Sequence, residues 1–346
     1  METFTTQLSV IQTKINQLNI DEKTKKQYIT FFINNYYNIE CFLKSDIKSL
    51  KQLPTHYFNM KLVKINDEFV KMLGDIYPKY EYPLNNNILG NITMNNIDKI
   101  VDTLNKDGYY VYDNLLDENL CDNIIEACTN IQFNLKNNPQ KQVKGIDVNN
   151  KFSSTFWASD QYEIVKIPEV QQLITNPIIL NICQKYLHTT PINNQTNLWW
   201  SVAGENDNTQ VFHQDFEDIK FLKIFIYLSD VTDKNGPHTY VKGSRNNFHE
   251  PPNYRTSMRV TDNFIQTKYN HEDIKIFTGK KGTIIFEDTN GYHKGSPLLE
   301  GCRIMLQLEY CASSRGLNVN LGNKPKYFDI NNDYIKNHPN VFLKYL

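Results

Sequence analysis

From Leu198 to Tyr310 the chain is cut into short β-branched and aromatic runs by clusters of Gly, Pro, Asn and Asp, and this rhythm limits the fold more than any other feature. The runs are Leu198–Val202, Gln210–Phe216, Phe221–Leu228, His238–Val241, Gly282–Phe286 and Arg303–Tyr310. Strands this short leave many unpaired edges unless the sheet curls or doubles over, so they predict a mainly β core, a barrel or jelly roll. Phe221–Leu228 is apolar at nearly every position. A strand reads that way when both faces are covered, one by the barrel interior and one by helices.

Helices are predicted before this core. Leu8, Ile11, Ile15 and Leu18 recur at helical spacing, and Tyr28, Phe31, Phe32, Tyr36 and Phe42 continue a broad apolar face, so Thr5 to Ile76 reads as helical. Pro78 to Asn96, with Pro83 and Asn85-Asn86-Asn87, reads as a linker or irregular crossover. It divides a helical N-terminal extension, residues 1–90, from a β domain, residues 91–346. Gly108–Tyr112 should be a strand, Asp117 should cap a helix through about Ile131, and a further helix should span Pro168 to Leu187. Residues 245–275, with Pro251-Pro252, form a long polar insertion of the kind that serves as a lid or binding loop.

With 37 basic against 38 acidic residues the net charge is -1, so nothing in the overall charge attracts nucleic acid or a membrane. The longest apolar stretches are strand-sized, far short of the roughly 18 to 20 residues of a membrane helix. Met1–Thr13 shows no secretory signal, which makes the cytoplasm the expected location. Cys41, Cys121, Cys128, Cys183, Cys302 and Cys311 lie far apart without a C-x-x-C pair and read as buried free thiols. Composition leaves the oligomeric state open.

The residues with chemistry gather around His213-Gln214-Asp215. If Gln210–Phe216 is a strand, alternation projects His213 and Asp215 from one face, where they can share an ion. His293 follows Phe286-Glu287-Asp288-Thr289-Asn290-Gly291, a strand running into a tight turn, and is the candidate third ligand. Two imidazoles and one carboxylate on one side of an ion leave three positions open, the arrangement of Fe(II) sites that activate oxygen. Alone, H-x-D is a weak motif. Arg303, at the start of its strand, adds a guanidinium able to clamp a carboxylate bidentately, as the distal carboxylate of 2-oxoglutarate would need.

Further segments fall in order around these residues: Phe212-His213-Gln214-Asp215, Phe221 to Val231, Asn235-Gly236-Pro237, Val241-Lys242-Gly243-Ser244-Arg245, Gly282 to Phe286, His293-Lys294-Gly295-Ser296-Pro297 and Gly301-Cys302-Arg303. Over roughly residues 100 to 312 the chain thereby resembles the phytanoyl-CoA dioxygenase family of Fe(II)/2-oxoglutarate oxygenases. The resemblance implies a double-stranded β-helix, a cupin-like jelly roll, with His213, Asp215 and His293 as iron ligands and Arg303 as the anchor of the 2-oxoglutarate 5-carboxylate. It also implies that Gln214 and Ser296 line the co-substrate pocket, that O2 and 2-oxoglutarate are consumed, and that succinate and CO2 are released. Hydroxylation of a small or conjugated organic molecule is the default outcome, although desaturation, ring closure and epimerisation use the same kind of site. Met305-Leu306-Gln307 and the 245–275 insertion depart from the family pattern, so the substrate for which the family is named does not carry over.

Structural readings stand beside these. Lys223, alone in an apolar strand, should share the face of Phe221, Phe225 and Tyr227 and needs an anion, met either at the co-substrate or substrate or in a structural ion pair. His238, His249 and His271 read as surface histidines and Trp199 and Trp200 as core. Arg245, Arg255 and Arg259 read as a solvated loop, with contact to an anionic small-molecule substrate as the alternative. Asp215 as a turn carboxylate and His293 as a satisfied histidine compete with ligation. Two rivals stand for the whole chain: a cupin-type zinc or manganese isomerase, which has no need of Arg303, and a binding or scaffold protein whose barrel is inert.

Overall fold

The computed structural model describes residues 4–53, 60–84, 88–136, 138–146, 156–203, 210–252, 259–317 and 332–346. Helices α1 (Phe4–Asn16), α2 (Glu22–Leu43) and α3 (Val63–Gly74) are followed by α4 (Met94–Asp107), β1 (Tyr109–Tyr112) and α5 (Glu118–Ala127). Next come β2 (Gln132–Leu135), β3 (Asn138–Lys144), β4 (Phe156–Ser159), α6 (Gln161–Ile164), α7 (Pro168–Ile174) and α8 (Pro177–Leu187). The chain continues with β5 (Ile192–Val202), β6 (Phe212–His213), β7 (Phe221–Tyr227), β8 (His238–Val241), β9 (Arg259–Val260), α9 (Asp262–Lys268), β10 (Ile274–Phe277), β11 (Ile284–Glu287), β12 (His293–Gly295), β13 (Cys302–Cys311) and α10 (Asn332–Asn337).

The strands form two antiparallel sheets, one in the order β1-β11-β7-β13-β5-β4-β2-β3 and the other β10-β8-β12-β6-β9. Between them Phe225, Tyr227, Ile285 and Met305 of the large sheet meet Tyr240 and Phe277 of the small one. The opposite face of the large sheet, including Leu222, Ile224, Ile226 and Leu308, packs on Leu104, Ile124, Val170 and Ile179 of the helices. β7 is apolar on both sides for this reason, and its alternation sets Lys223, Phe225 and Tyr227 inside, as the sequence predicts. The architecture is a double-stranded β-helix with helices on one flank and a helical N-terminal region.

Several expectations need correction. The helix expected over Pro168–Leu187 is two, because Asn176 caps α8 by accepting from the Ile178 and Ile179 N–H groups, and Pro177 takes the first turn, where its missing N–H is no loss. The strand expected over Gln210–Phe216 shrinks to Phe212–His213, while β5 begins at Ile192 rather than Leu198. β2, β3 and β4 escape a periodicity reading because β3 is solvated along nearly its whole length and shows no alternation. Residues 245–275 hold β9, α9 and the start of β10. Asn85–Asn87 of the linker and Arg255 lie outside the described residues.

The N-terminal helices belong to the same apolar core as the sheet, which runs from Ile11 and Ile15 to Phe342 and Tyr345. On α3, Phe69 packs against Tyr28 and Phe31, and Gly74 passes so close to the His188 carbonyl that a Cβ would overlap it. Asp67, on the same helix, makes a bidentate pair with Arg245 (Nη1–Oδ2 3.0 Å, Nη2–Oδ1 2.7 Å) and lies 3.2 Å from Lys220 Nζ. Burial alone would raise the Asp67 carboxyl, but Arg245 and Lys220 outweigh it and hold the group at about 2.

The unfolded carboxyl titrates near 3.9, so the folded state binds this proton more weakly. The resulting stabilisation is complete above about pH 4 and is lost as the pH falls toward 2. Because the side chain is a quarter exposed (25%), the effect is set at about 2 kcal/mol. Asp67→Asn should therefore lower stability by about 2 kcal/mol at pH 6, with the difference from wild type closing near pH 2. Urea melts across that range measure it, and a difference that does not vary with pH would assign the loss to packing instead.

Candidate metal centre

β6 and β12 are antiparallel neighbours in which His213 stands directly opposite His293. Side chains of such a pair emerge on the same face, which brings the two imidazole centroids to 4.3 Å. Asp215 arrives differently from the expectation. It lies past the end of β6, so strand alternation does not place it; its N–H donates to Thr289 O at 2.8 Å and its carbonyl accepts from Asn290 Nδ2 at 2.8 Å. The turn before His293 thus carries the backbone of Asp215.

The carboxylate lies 3.2 Å (Oδ2) from His293 Nε2 and 3.8 Å (Oδ1) from His213 Nε2. Each of the three residues offers one ligand atom, all within 4.8 Å of one another, close enough for one ion to take all three. Both imidazoles are oriented from behind by the carbonyl two residues earlier: His213 Nδ1 lies 2.9 Å from Val211 O and His293 Nδ1 3.0 Å from Gly291 O. A proton on each Nδ1 leaves both Nε2 lone pairs turned to Asp215, the tautomer that ligation requires.

The charges fit this use. Burial, reinforced by the neighbouring His293, pushes His213 down to about 3. Burial opposes ionisation of Asp215, but Lys223 and the histidines hold its carboxyl well below the usual range. Against burial, the Asp215 carboxylate raises His293 above its ordinary value.

Lys223 completes the cluster. Its Nζ lies 2.6 Å from Asp215 Oδ2, 3.2 Å from Glu217 Oε1 and 3.6 Å from Glu309 Oε2. In register, β7 sets Lys223 opposite Glu287 of β11 on one side and Glu309 of β13 on the other. Its described partners are three carboxylates, the ion-pair alternative named from the sequence.

Arg303, 3% exposed, donates through Nη1 to the Gly236 carbonyl, while Nε is buried without a partner. Among the described residues no carboxylate pairs with it. A Cβ on Gly295 would stand 3.3 Å from Arg303 Nη2, so the glycine leaves the guanidinium room against β12. Ser296, next along, shares a 2.9 Å hydrogen bond with the Thr239 hydroxyl. Gln214 is turned elsewhere: its Nε2 donates to Asn290 O at 2.5 Å and ties the H-x-D segment to the following turn.

His238 and Arg245 correct the sequence reading. His238 is buried rather than on the surface, stacks 5.7 Å from His293 and lies 2.9 Å from Glu287 Oε1. Burial, His293 and Arg303 together hold it well below its ordinary value. Arg245 is buried rather than solvated. His249 is half-buried on the Tyr269 ring, Arg259 and His271 are exposed, Trp200 is buried, and half-buried Trp199 stacks on Phe156. Glu287 and Glu309 were also missed, although each follows an apolar run in its strand just as Lys223 does. The six thiols are free, and Cys302 alone of them is not fully buried. No described helix is long and apolar enough to cross a membrane.

Residues 104–299 match the model of the family described as phytanoyl-CoA dioxygenase (PhyH). The chain belongs to the phytanoyl-CoA dioxygenase family. That family is one of Fe(II)- and 2-oxoglutarate-dependent oxygenases, and dependence on iron and 2-oxoglutarate comes with it. A comparison with curated proteins gives no match. Solved structures similar to the chain include the epimerase SnoN in complex with Fe3+, alpha ketoglutarate and nogalamycin RO, at 14% identity and a TM-score of 0.46, covering 63% of this chain and 84% of that one. EctD from S. alaskensis with bound Fe shares 18% identity with a TM-score of 0.44, covering 68% and 87%. HygX from Streptomyces hygroscopicus with nickel and 2-oxoglutarate bound shares 11% with a TM-score of 0.44, covering 61% and 85%.

Removing the ammonium at the centre of the cluster should be costly. Lys223→Met leaves the ionised Asp215 without its counter-charge and takes the ammonium away from Glu217 and Glu309, and the metal-free protein should lose about 3 to 5 kcal/mol in chemical denaturation. A loss under about 1 kcal/mol would show that the carboxylates are neutralised by other means.

Proposed function

We propose that His213, Asp215 and His293 hold the iron, that Arg303 anchors the distal carboxylate of 2-oxoglutarate, and that the enzyme hydroxylates a small or conjugated organic molecule. The observation that carries this reading is the pairing of a two-histidine, one-carboxylate cluster with a buried guanidinium that no described carboxylate neutralises. A buried cation without a counter-ion is costly, and a dicarboxylate co-substrate removes that cost. An isomerase using the same three ligands would leave Arg303 unexplained.

When bound, iron and 2-oxoglutarate supply the oxidising power, with O2 consumed and succinate and CO2 released. The protein's own residues do the rest. The Val211 and Gly291 carbonyls fix both imidazoles, and Lys223 holds the Asp215 carboxylate ionised and in place. Ser296 adds a hydroxyl beside the anchor, and Phe225, Tyr227 and Met305 keep the space between the sheets dry. A cavity of about 720 Å³ bordered by Phe42, Gln195, Phe216, Glu217 and Arg315 abuts the Lys223 cluster through Glu217, and its size suits a small-molecule substrate. Arg245 is committed to Asp67 and Asp288, so an anionic group on the substrate would be met elsewhere.

Purified protein loaded anaerobically with Fe(II), then given 2-oxoglutarate and oxygen, should release succinate, and His213→Ala should release none. Arg303→Ala should raise the 2-oxoglutarate KM by roughly 30-fold, the equivalent of about 2 kcal/mol for hydrogen bonds to a charged group. If iron-loaded wild type neither formed succinate nor bound 2-oxoglutarate, the oxygenase reading would fall and the cupin-type or scaffold reading would take its place.

A further inference from the structure

We propose that the N-terminal helices position the metal ligands: Asp67 on α3, acting through Arg245, fixes the turn Asp288–Gly291 on which both His293 and Asp215 depend. The inference rests on the ligand assignment above and gives residues 1–90 a role in that site.

The turn is where the ligand-bearing segments meet. Thr289 O and Asn290 Nδ2 hold the backbone of Asp215, Asn290 O takes the Gln214 amide, and Gly291 O orients the His293 ring. Asp288 shapes it, because its Oδ1 accepts the Asn290 N–H at 3.0 Å and its carbonyl accepts the Gly291 N–H at 3.0 Å and the Tyr240 hydroxyl at 3.0 Å. The other carboxylate oxygen, Oδ2, faces Arg245 Nε at 2.5 Å and accepts the Tyr186 hydroxyl.

Arg245 therefore has two ends. Its Nε faces the turn and its two terminal nitrogens clamp Asp67 on α3, with Lys220 as a second cation on the same carboxylate. A bidentate guanidinium–carboxylate pair fixes direction as well as distance, so the position of α3 is transmitted to Asp288. A second tether runs parallel. Asn35 of α2 accepts both the N–H (2.8 Å) and the hydroxyl (2.7 Å) of Ser314. The adjacent Ser313 donates its N–H (2.7 Å) and hydroxyl (2.5 Å) to Asp218, at the end of the segment that carries Asp215.

Groups that orient metal ligands from behind typically change metal affinity 10- to 100-fold when lost. Asp67 acts further back still, through Arg245 and Asp288, so no more than the low end, about 10-fold, is expected. Linkage also makes the effect reciprocal: metal binding must favour the docked position of α3 by the same factor.

The test uses Co(II), whose visible absorption reports coordination geometry, titrated into the full-length wild type, Asp67→Asn and Phe69→Ala. Phe69→Ala weakens the packing of the same helix without touching the ion pairs. The expected result is a Co(II) Kd raised about 10-fold and an altered visible spectrum for Asp67→Asn, against a lowered Tm but wild-type Kd and spectrum for Phe69→Ala. Wild-type Kd and spectrum in Asp67→Asn, or losses in both variants that simply follow their stability, would overturn the proposal. Should Asp67→Asn not fold, hydrogen exchange on the wild type decides: Co(II) should slow the amides of Val63–Gly74, and protection confined to 212–218 and 288–295 would overturn it. A wild type that takes up no Co(II) removes the ligand assignment itself, whereas a wild type that binds and an Asp67→Asn protein that binds equally well removes this inference alone.

Discussion

The interior of the barrel is organised by one electrostatic requirement: an ammonium and several carboxyl groups share a largely buried space. Lys223 is the centre of it. Transfer of a single charge into such a space costs several kcal/mol, and the cost is offset only when the geometry of pairing is good. β7, β11 and β13 meet the condition by register, setting Lys223 between Glu287 and Glu309, while Glu217 and Asp215 close in from the segment after β6. Burial raises Glu217 and Glu287 to about 8, so part of the negative charge is suppressed rather than paired. Asp215 is the member kept ionised, and it is the one that faces both histidines.

This arrangement gives the ligand cluster an internal support that is independent of any ion. The carboxylate is already ionised by Lys223, the two imidazoles are already turned by backbone carbonyls, and the apolar inter-sheet residues already exclude water. Preorganisation of that kind reduces what must be rearranged when a cation arrives. It also explains why a lysine interrupts the most apolar strand of the chain, where a purely structural β-helix would carry another aliphatic residue.

Much of the fold was legible because the strands carry their environment in their pattern. The two faces of β7 could be separated from alternation alone, and the short spacing of strands indicated a closed or doubled sheet. The three residues that converge as a candidate metal cluster could be named, but the reason for their convergence could not. Asp215 was assigned to the face of a strand that ends two residues before it, and what holds it is Thr289 and Asn290, far away in the chain. His238 and Arg245 read as surface residues because they sit in polar, turn-rich sequence, where local composition says nothing of a long-range partner. Their burial follows from pairing with Glu287 and with Asp67 and Asp288. Glu287 and Glu309 did carry a local sign, since a lone acid at the inward position of an apolar strand must find a cation. The parity that puts Lys223 inward was available for them as well.

The buried charges also weigh against an inert barrel. A scaffold has no use for an interior that holds Lys223, Glu287, Glu309 and Arg303, since well-packed apolar residues of the same volume are generally as stable or more so. Lys223 and its acids could still be read as a structural pair that balances itself. Arg303 is not balanced in that way among the described residues, because its Nε has no described partner and no described carboxylate pairs with it. The proposed anchoring of a 2-oxoglutarate carboxylate by Arg303 would supply the counter-charge that the described residues do not.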